Sequence, residues 1–127
     1  MKTCVETAKA PAAIGPYSQA IISGKTLFIS GQLPIDPATG EFAGQDIISQ
    51  TTQVLKNLDA ILQTAGTSKE NILKTTIFIT DISQFPKVND VYQNFMAGTV
   101  FPARSTIEVS ALPKGALIEI ELIAALP

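Results

Sequence analysis

The chain has 127 residues, 46% apolar, 16% charged and 6% aromatic, which suits one folded domain with a single core and argues against disorder. Nine lysines and arginines against eleven aspartates and glutamates leave a net charge of −2, with no run of like charge, so the basic patch of a phosphate-tracking nucleic-acid binder is missing. No histidine and a single cysteine, Cys4, exclude histidine general bases, Ser-His and Cys-His nucleophile pairs, histidine or thiolate metal clusters and any intrachain disulfide.

The first ten residues have no apolar core of signal-peptide length. The longest apolar stretch, residues 116–126, is broken by Glu119 and Glu121 and falls far short of the roughly 20 residues that span a bilayer. A cytoplasmic, reducing setting without membrane partners is therefore expected, with Cys4 structural. Residues 8–15 are small and proline-containing and read as a loop. Residues 18–23 and 26–30 flank Gly24-Lys25, and glycine at the first turn position predicts a type II′ hairpin. Residues 31–45, with Pro34, Pro37, Gly40 and Gly44, read as a long loop. From Ile47 to Ala65 apolar residues recur at 3.6-residue spacing, predicting a helix over 46–65 that Gly66 is placed to end. Residues 72–80 are β-branched and predict a strand. A second helix is predicted over 84–96, with Phe85, Val88, Val91, Tyr92, Phe95 and Met96 on one face, Ser83 as its cap and Pro86 in its first turn. Residues 104–111 and 117–125 are two more strands, joined by Leu-Pro-Lys-Gly.

This order predicts one α+β domain over residues 1–127, a five- or six-stranded sheet with two helices packed on one face. The other face is not clearly polar. Strand parity in 72–80 sets Leu73, Ile77 and Ile79 against Ile72 and Phe78, and in 117–125 it sets Ile118, Ile120 and Leu122 against Leu117 and Ile123. Strands apolar on both faces are buried on both faces, and with no third helix a symmetric oligomer is the natural cover.

Arg104 is the only arginine. Parity groups it with Thr106, Glu108 and Ser110, and groups Glu119 with Glu121. If the last two strands form an antiparallel hairpin, Arg104 and a glutamate project together, away from the helices. Two readings follow. One is a cross-strand salt bridge on a solvated face. The other is a site in which the planar guanidinium takes a carboxylate on two donors and a glutamate handles a proton or a water. Two charges in a strand otherwise built of Ala, Leu and Ile favour the second. Tyr17, after Gly15-Pro16, is either an aromatic plug or a pocket wall. Ser30-Gly31-Gln32 is either ordinary turn chemistry or a place where a ligand nears the backbone. Asn89 reads first as an exposed polar residue of the second helix. Dinucleotide, Walker, zinc-helix and paired-cysteine motifs are all missing, so no cofactor or metal is called for.

Several motifs together resemble the RidA/YjgF/UK114 family of enamine/imine deaminases over essentially the whole chain. They are Ala13-Ile14-Gly15-Pro16-Tyr17-Ser18-Gln19, Ser30-Gly31-Gln32 with Pro34, Val88-Asn89-Asp90-Val91-Tyr92, Pro102-Ala103-Arg104-Ser105 and Ile118-Glu119-Ile120-Glu121. The resemblance implies a chorismate-mutase-like fold assembled as a homotrimer around a central β-barrel, with active sites in the clefts between subunits. By match, Arg104 binds the substrate carboxylate, Glu119 contacts the attacking water, and Tyr17, Ser30, Gly31 and Asn89 line or support the cleft. Thr106 stands where the family often has cysteine; its backbone can still serve the ligand. The implied substrates are 2-aminoacrylate- and 2-aminocrotonate-like enamines and their imines, released by pyridoxal-phosphate dehydratases and hydrolysed to 2-oxo acids and ammonia. The alternatives are a regulatory module that senses 2-oxo acids in the same cleft, and a translation inhibitor with ribonuclease activity. The acidic balance and single arginine make the ribonuclease reading poor.

Overall fold

Six strands and two α-helices form, five of the strands and both helices where the patterning predicts them, in a computed structural model that describes all 127 residues. They are β1 (Lys2–Val5), β2 (Ala20–Ser23), β3 (Thr26–Gln32), α1 (Ile47–Ala65), β4 (Ile72–Ile79), α2 (Phe85–Met96), β5 (Ala103–Glu108) and β6 (Ile118–Ala125). One sheet runs β1-β2-β3-β6-β4-β5, antiparallel except where β5 pairs parallel with β4. No helix is long and apolar enough to cross a membrane.

Both helices lie on one sheet face, as their periodicity requires. Val54, Leu58, Ile61 and Leu62 of α1 and Val88 and Met96 of α2 are sealed against Leu27, Ile77, Ile79, Ile118 and Ile120. Each such side chain contributes about 1.5–3 kcal/mol on burial. Asp46 caps α1 by accepting from the Ser49 amide at 2.9 Å, and Gly66 ends it in the left-handed region. The β2–β3 hairpin turns at Gly24, whose φ of +60° fits the predicted turn.

Several expectations need correction. Residues 2–5 add an edge strand, β1, that carries too little apolar alternation to be read from sequence. Ser83 does not cap α2; the Asp81 carboxylate accepts from the Ser83 amide and hydroxyl and starts a short 3₁₀ turn at Ile82–Gln84 that leads into the helix. A register shift between Ile72 and Lys74 puts Ile72 in the core with Ile77 and leaves Leu73 52% exposed, against simple parity.

The largest correction concerns the last two strands, which are not a hairpin. β6 inserts between β3 and β4, and β5 lies on the far side of β4 at the sheet edge. Ile118, Ile120 and Leu122 satisfy the central position, whereas β5, with Arg104, Ser105, Thr106 and Glu108, is too polar for anything but an edge. Arg104 pairs in register with Thr75, a core-facing residue, so its side chain lies on the helix side of the sheet. Glu119 and Glu121 pair with Phe78 and Thr76 on the helix-free side, where Phe28 and Ile107 are each 45% exposed.

Buried amides of α1 hold the loops beside the sheet. Asn57 donates to the Leu33 and Ile35 carbonyls at 3.1 and 2.9 Å and accepts from Gln53 at 2.8 Å. Gln50 ties the Gly44 carbonyl to the Leu117 amide. Asn57→Ala strands two carbonyls and the Gln53 amide, and a loss of about 2–4 kcal/mol is expected in chemical denaturation at fixed protein concentration. A change under 0.5 kcal/mol, the range of about an ordinary surface substitution, would show that the loop is held otherwise.

Candidate active site

Two clefts collect the residues singled out from the sequence, and they are separate within one chain. The first, about 410 Å³, is lined by Asn89, Tyr92, Gln93, Phe101, Pro102 and Arg104. Pro102 extends the backbone into β5, and α2 stands beside it. Arg104 Nη1 donates to Asn89 Oδ1 at 2.8 Å, and the guanidinium carbon lies 5.1 Å from the Phe85 ring centroid and 5.0 Å from that of Tyr92. The Tyr92 hydroxyl is 2.8 Å from Thr75 Oγ1 in the core. Burial pushes the Tyr92 phenol up, opposed by the Thr75 bond and the Arg104 charge. No carboxylate neutralises the arginine. Glu108, on the same face, accepts instead from the Ile82 amide at 2.9 Å, and the glutamates of β6 lie across the sheet. The salt-bridge reading of Arg104 therefore fails. Four of its five N–H donors remain available in an open cleft.

The second cleft, about 660 Å³, includes Ile14, Tyr17, Ser30, Gly31, Lys114, Glu119 and Glu121 in its lining. Tyr17 is held near it by short-range chemistry. Its amide donates to the Gly15 carbonyl at 2.9 Å, Ser30 Oγ donates to the Ser18 carbonyl at 2.6 Å, and the Ser30 amide donates to the Gln19 carbonyl at 2.9 Å. The buried Gln19 side chain binds Thr7, Ala10 and Pro11 backbone groups and fixes the loop before Tyr17. Pairing of β3 with β6 shifts register between Ile29 and Gln32, a bulge at Ser30-Gly31. A Cβ on Gly31 would stand 2.7 Å from Glu119 Cδ, so glycine is what lets that carboxylate lie against the β3 backbone. Burial raises the Glu119 carboxyl above the ordinary range, and the neighbouring Glu121 raises it further.

The structure thus brings Tyr17, Ser30, Gly31 and Glu119 together, and Asn89 with Arg104, but the two groups occupy opposite faces of the sheet. Thr106, half-buried, follows Arg104 on the same face of β5 and pairs with Ile77, outside the lining of either cleft. Sequence reasoning missed Phe85 and Tyr92 as neighbours of Arg104, because an apolar helix stripe reads as core. It also missed Lys114, a left-handed residue (φ 60°) in the lining of the second cleft. Phe101, directly before Pro102-Ala103-Arg104, carried the nearest usable signal.

Comparison with known proteins fits this geometry. Residues 7–126 match the family model described as endoribonuclease L-PSP. A goat protein named 2-iminobutanoate/2-iminopropanoate deaminase is 46% identical over 124 residues, covering 98% of this chain and 90% of that protein. A Yersinia pestis protein of the conserved Rid family, described as of unknown function, is 60% identical with a TM-score of 0.98, covering 99% of this chain and all of that one. Escherichia coli TdcF, solved with bound serine, is 42% identical with a TM-score of 0.95, covering 98% of this chain and 99% of that one. With nearly the whole chain matched in both sequence and fold, it belongs to the YjgF/RidA family.

Proposed function

We propose that this protein hydrolyses short, carboxylate-bearing enamine and imine intermediates to 2-oxo acids and ammonia, in clefts that two copies of the chain build together. The observation that carries the reading is the split site. Arg104, without a carboxylate partner, and Glu119, with a raised carboxyl, sit on opposite faces of one sheet. A second copy is the simplest way to set the Arg104 cleft against a Glu119 cleft. A homotrimer whose helix-free faces close into a central barrel would do this while covering Phe28, Phe78 and Ile107. The deaminase name of the goat relative and the serine bound to the Escherichia coli relative support a small amino-acid-derived ligand. The family model's endoribonuclease description finds no support in a chain with one arginine, no histidine and an acidic balance.

In this mechanism Arg104 binds the substrate carboxylate on two parallel donors and fixes the imine carbon. That carbon is already electrophilic, so the chemistry asks for neither a metal nor a covalent nucleophile. Glu119 accepts a proton as water adds to the carbon and returns one as the C–N bond breaks. The protonated imine and one water become a 2-oxo acid and ammonium. A carboxyl raised above its ordinary range by burial and by Glu121 suits both halves of that transfer. Tyr17 walls the cleft, Ser30 and Gly31 shape the bulge beside the acid, and Asn89 steadies the arginine. Thr106, two residues beyond Arg104 on β5, lies outside both clefts and takes no step in this mechanism.

The test adds the protein to a pyridoxal-phosphate serine or threonine dehydratase and times 2-oxo acid release, with the uncatalysed rate subtracted. Acceleration is expected from the wild type. Arg104→Lys keeps charge but loses the fork and should lose nearly all activity with the fold intact. Glu119→Gln should lose roughly 10²–10⁴-fold while still binding a carboxylate ligand, the usual range for an acid–base group. Glu121→Gln should keep most activity. Ligand binding without acceleration by the wild type would make the chain a sensor.

The raised Glu119 carboxyl also sets a pH dependence. In the folded protein it holds its proton to higher pH than in the unfolded chain. Its contribution to stability is therefore complete below the ordinary carboxylate range, near 4.5, and is lost as pH rises through the raised value. Glu119→Gln removes that loss. Its melting temperature should exceed that of the wild type at neutral pH, with the gap closing toward pH 4. A gap independent of pH would contradict the assignment.

A further inference from the structure

Phe85, Asn89 and Tyr92 stand at positions i, i+4 and i+7 of α2, one stripe down a single helix face, and Arg104 of β5 lies along that stripe. The contacts close a ring between three elements. Asn89 accepts from Nη1, both aromatic rings lie about 5 Å from the guanidinium carbon, the Tyr92 hydroxyl bonds Thr75, and Thr75 is the β4 residue in register with Arg104 itself. Tyr92 is 4% exposed and Thr75 2%, so this ring is anchored in the core although the guanidinium is exposed to the cleft.

We propose that this stripe is a mount that pre-orients Arg104, making Phe85, Asn89 and Tyr92 positioning residues for carboxylate affinity. The inference rests on the reading of Arg104 as the carboxylate receptor. A free arginine has many rotamers to lose on binding an anion, and a planar cation held against ring faces has lost them beforehand. Asn89 takes Nη1, which leaves the Nε and Nη2 hydrogens side by side and without a protein acceptor. That edge is the one a carboxylate meets with two parallel bonds. A neutral amide at position 89 is the appropriate partner. An aspartate there would fix the guanidinium equally well but would cancel the charge that the substrate needs.

The prediction separates affinity from turnover. In the coupled assay, and in calorimetric titration with 2-oxobutanoate as the probe, Phe85→Leu and Asn89→Ala should raise KM and Kd about three- to thirtyfold, with kcat within about twofold of wild type. Tyr92→Leu should do the same or worse. Tyr92→Phe keeps the ring and gives up only the Thr75 bond, so it should stay within about threefold, the range of one neutral hydrogen bond. Asn89→Asp should bind 2-oxobutanoate more weakly than Asn89→Ala. Arg104→Lys is the control. If it loses 2-oxobutanoate binding while Phe85→Leu and Asn89→Ala bind like wild type, the mount is refuted and the carboxylate reading stands. If Arg104→Lys retains affinity, the carboxylate reading fails and takes the mount with it. A fall in kcat at unchanged KM in the stripe variants would make their role structural and would also overturn the proposal.

Discussion

The pairing of β6 between β3 and β4 governs the rest of this molecule. It buries Ile118, Ile120 and Leu122 at the centre of the sheet, and by period-two alternation it forces Glu119 and Glu121 onto the opposite face. It also displaces β5 to the edge, in parallel with β4, with Arg104 in register with Thr75 and turned toward α2. The arginine and the acid are consequently separated by β4 and by the thickness of the sheet. No side-chain rotation within one chain can bring them together, so a site that used both would need a second copy of the chain.

Both clefts are built at a cost that the surrounding structure absorbs. Glu119 sits partly desolvated next to a second carboxylate, an arrangement that favours the protonated form and does nothing for the fold at neutral pH. Gly31 opens the β3 backbone to admit it, and a bulge interrupts the ladder at that point. Across the sheet, Arg104 is held by two aromatic faces and an amide, which orient it without neutralising it. The buried amides Gln19 and Asn57 fix Pro11, Leu33 and Ile35 from inside the fold, so the walls of the Glu119 cleft are held by polar bonds to the core.

Local chemistry was legible in the sequence; strand neighbours were not. The 3.6-residue spacing of α1, its end at Gly66, the turn at Gly24 and the apolar face of β6 at Ile118, Ile120 and Leu122 all follow from near neighbours along the chain, and each is present. Residues 103–108 and 118–125 are close in sequence and joined by a proline- and glycine-containing connection, which is how a hairpin reads. Only a comparison of the two strands' core-facing residues, Ile118, Ile120 and Leu122 against Arg104, Thr106 and Glu108, places β6 inside and β5 outside, and that comparison is global. The same limit hid the mount. Phe85 and Tyr92 satisfy the core periodicity of α2, and nothing local says that a distant arginine lies along them. The family resemblance pointed to Tyr17, Ser30, Gly31, Asn89, Arg104, Thr106 and Glu119 but could not by itself show that β4 divides Arg104 from Glu119.

If a working site takes Arg104 from one copy and Glu119 from another, variants that each lack one of the two will complement. Arg104→Lys and Glu119→Gln, each inactive alone, are mixed in equal amounts, unfolded, refolded together and assayed for imine hydrolysis. In randomly mixed cyclic trimers about one interface in four joins an intact arginine to an intact glutamate, so about a quarter of wild-type activity should return. Activity no higher than that of the separate variants, in mixed trimers verified by mass, would show that each site draws both residues from the same copy and would contradict the account.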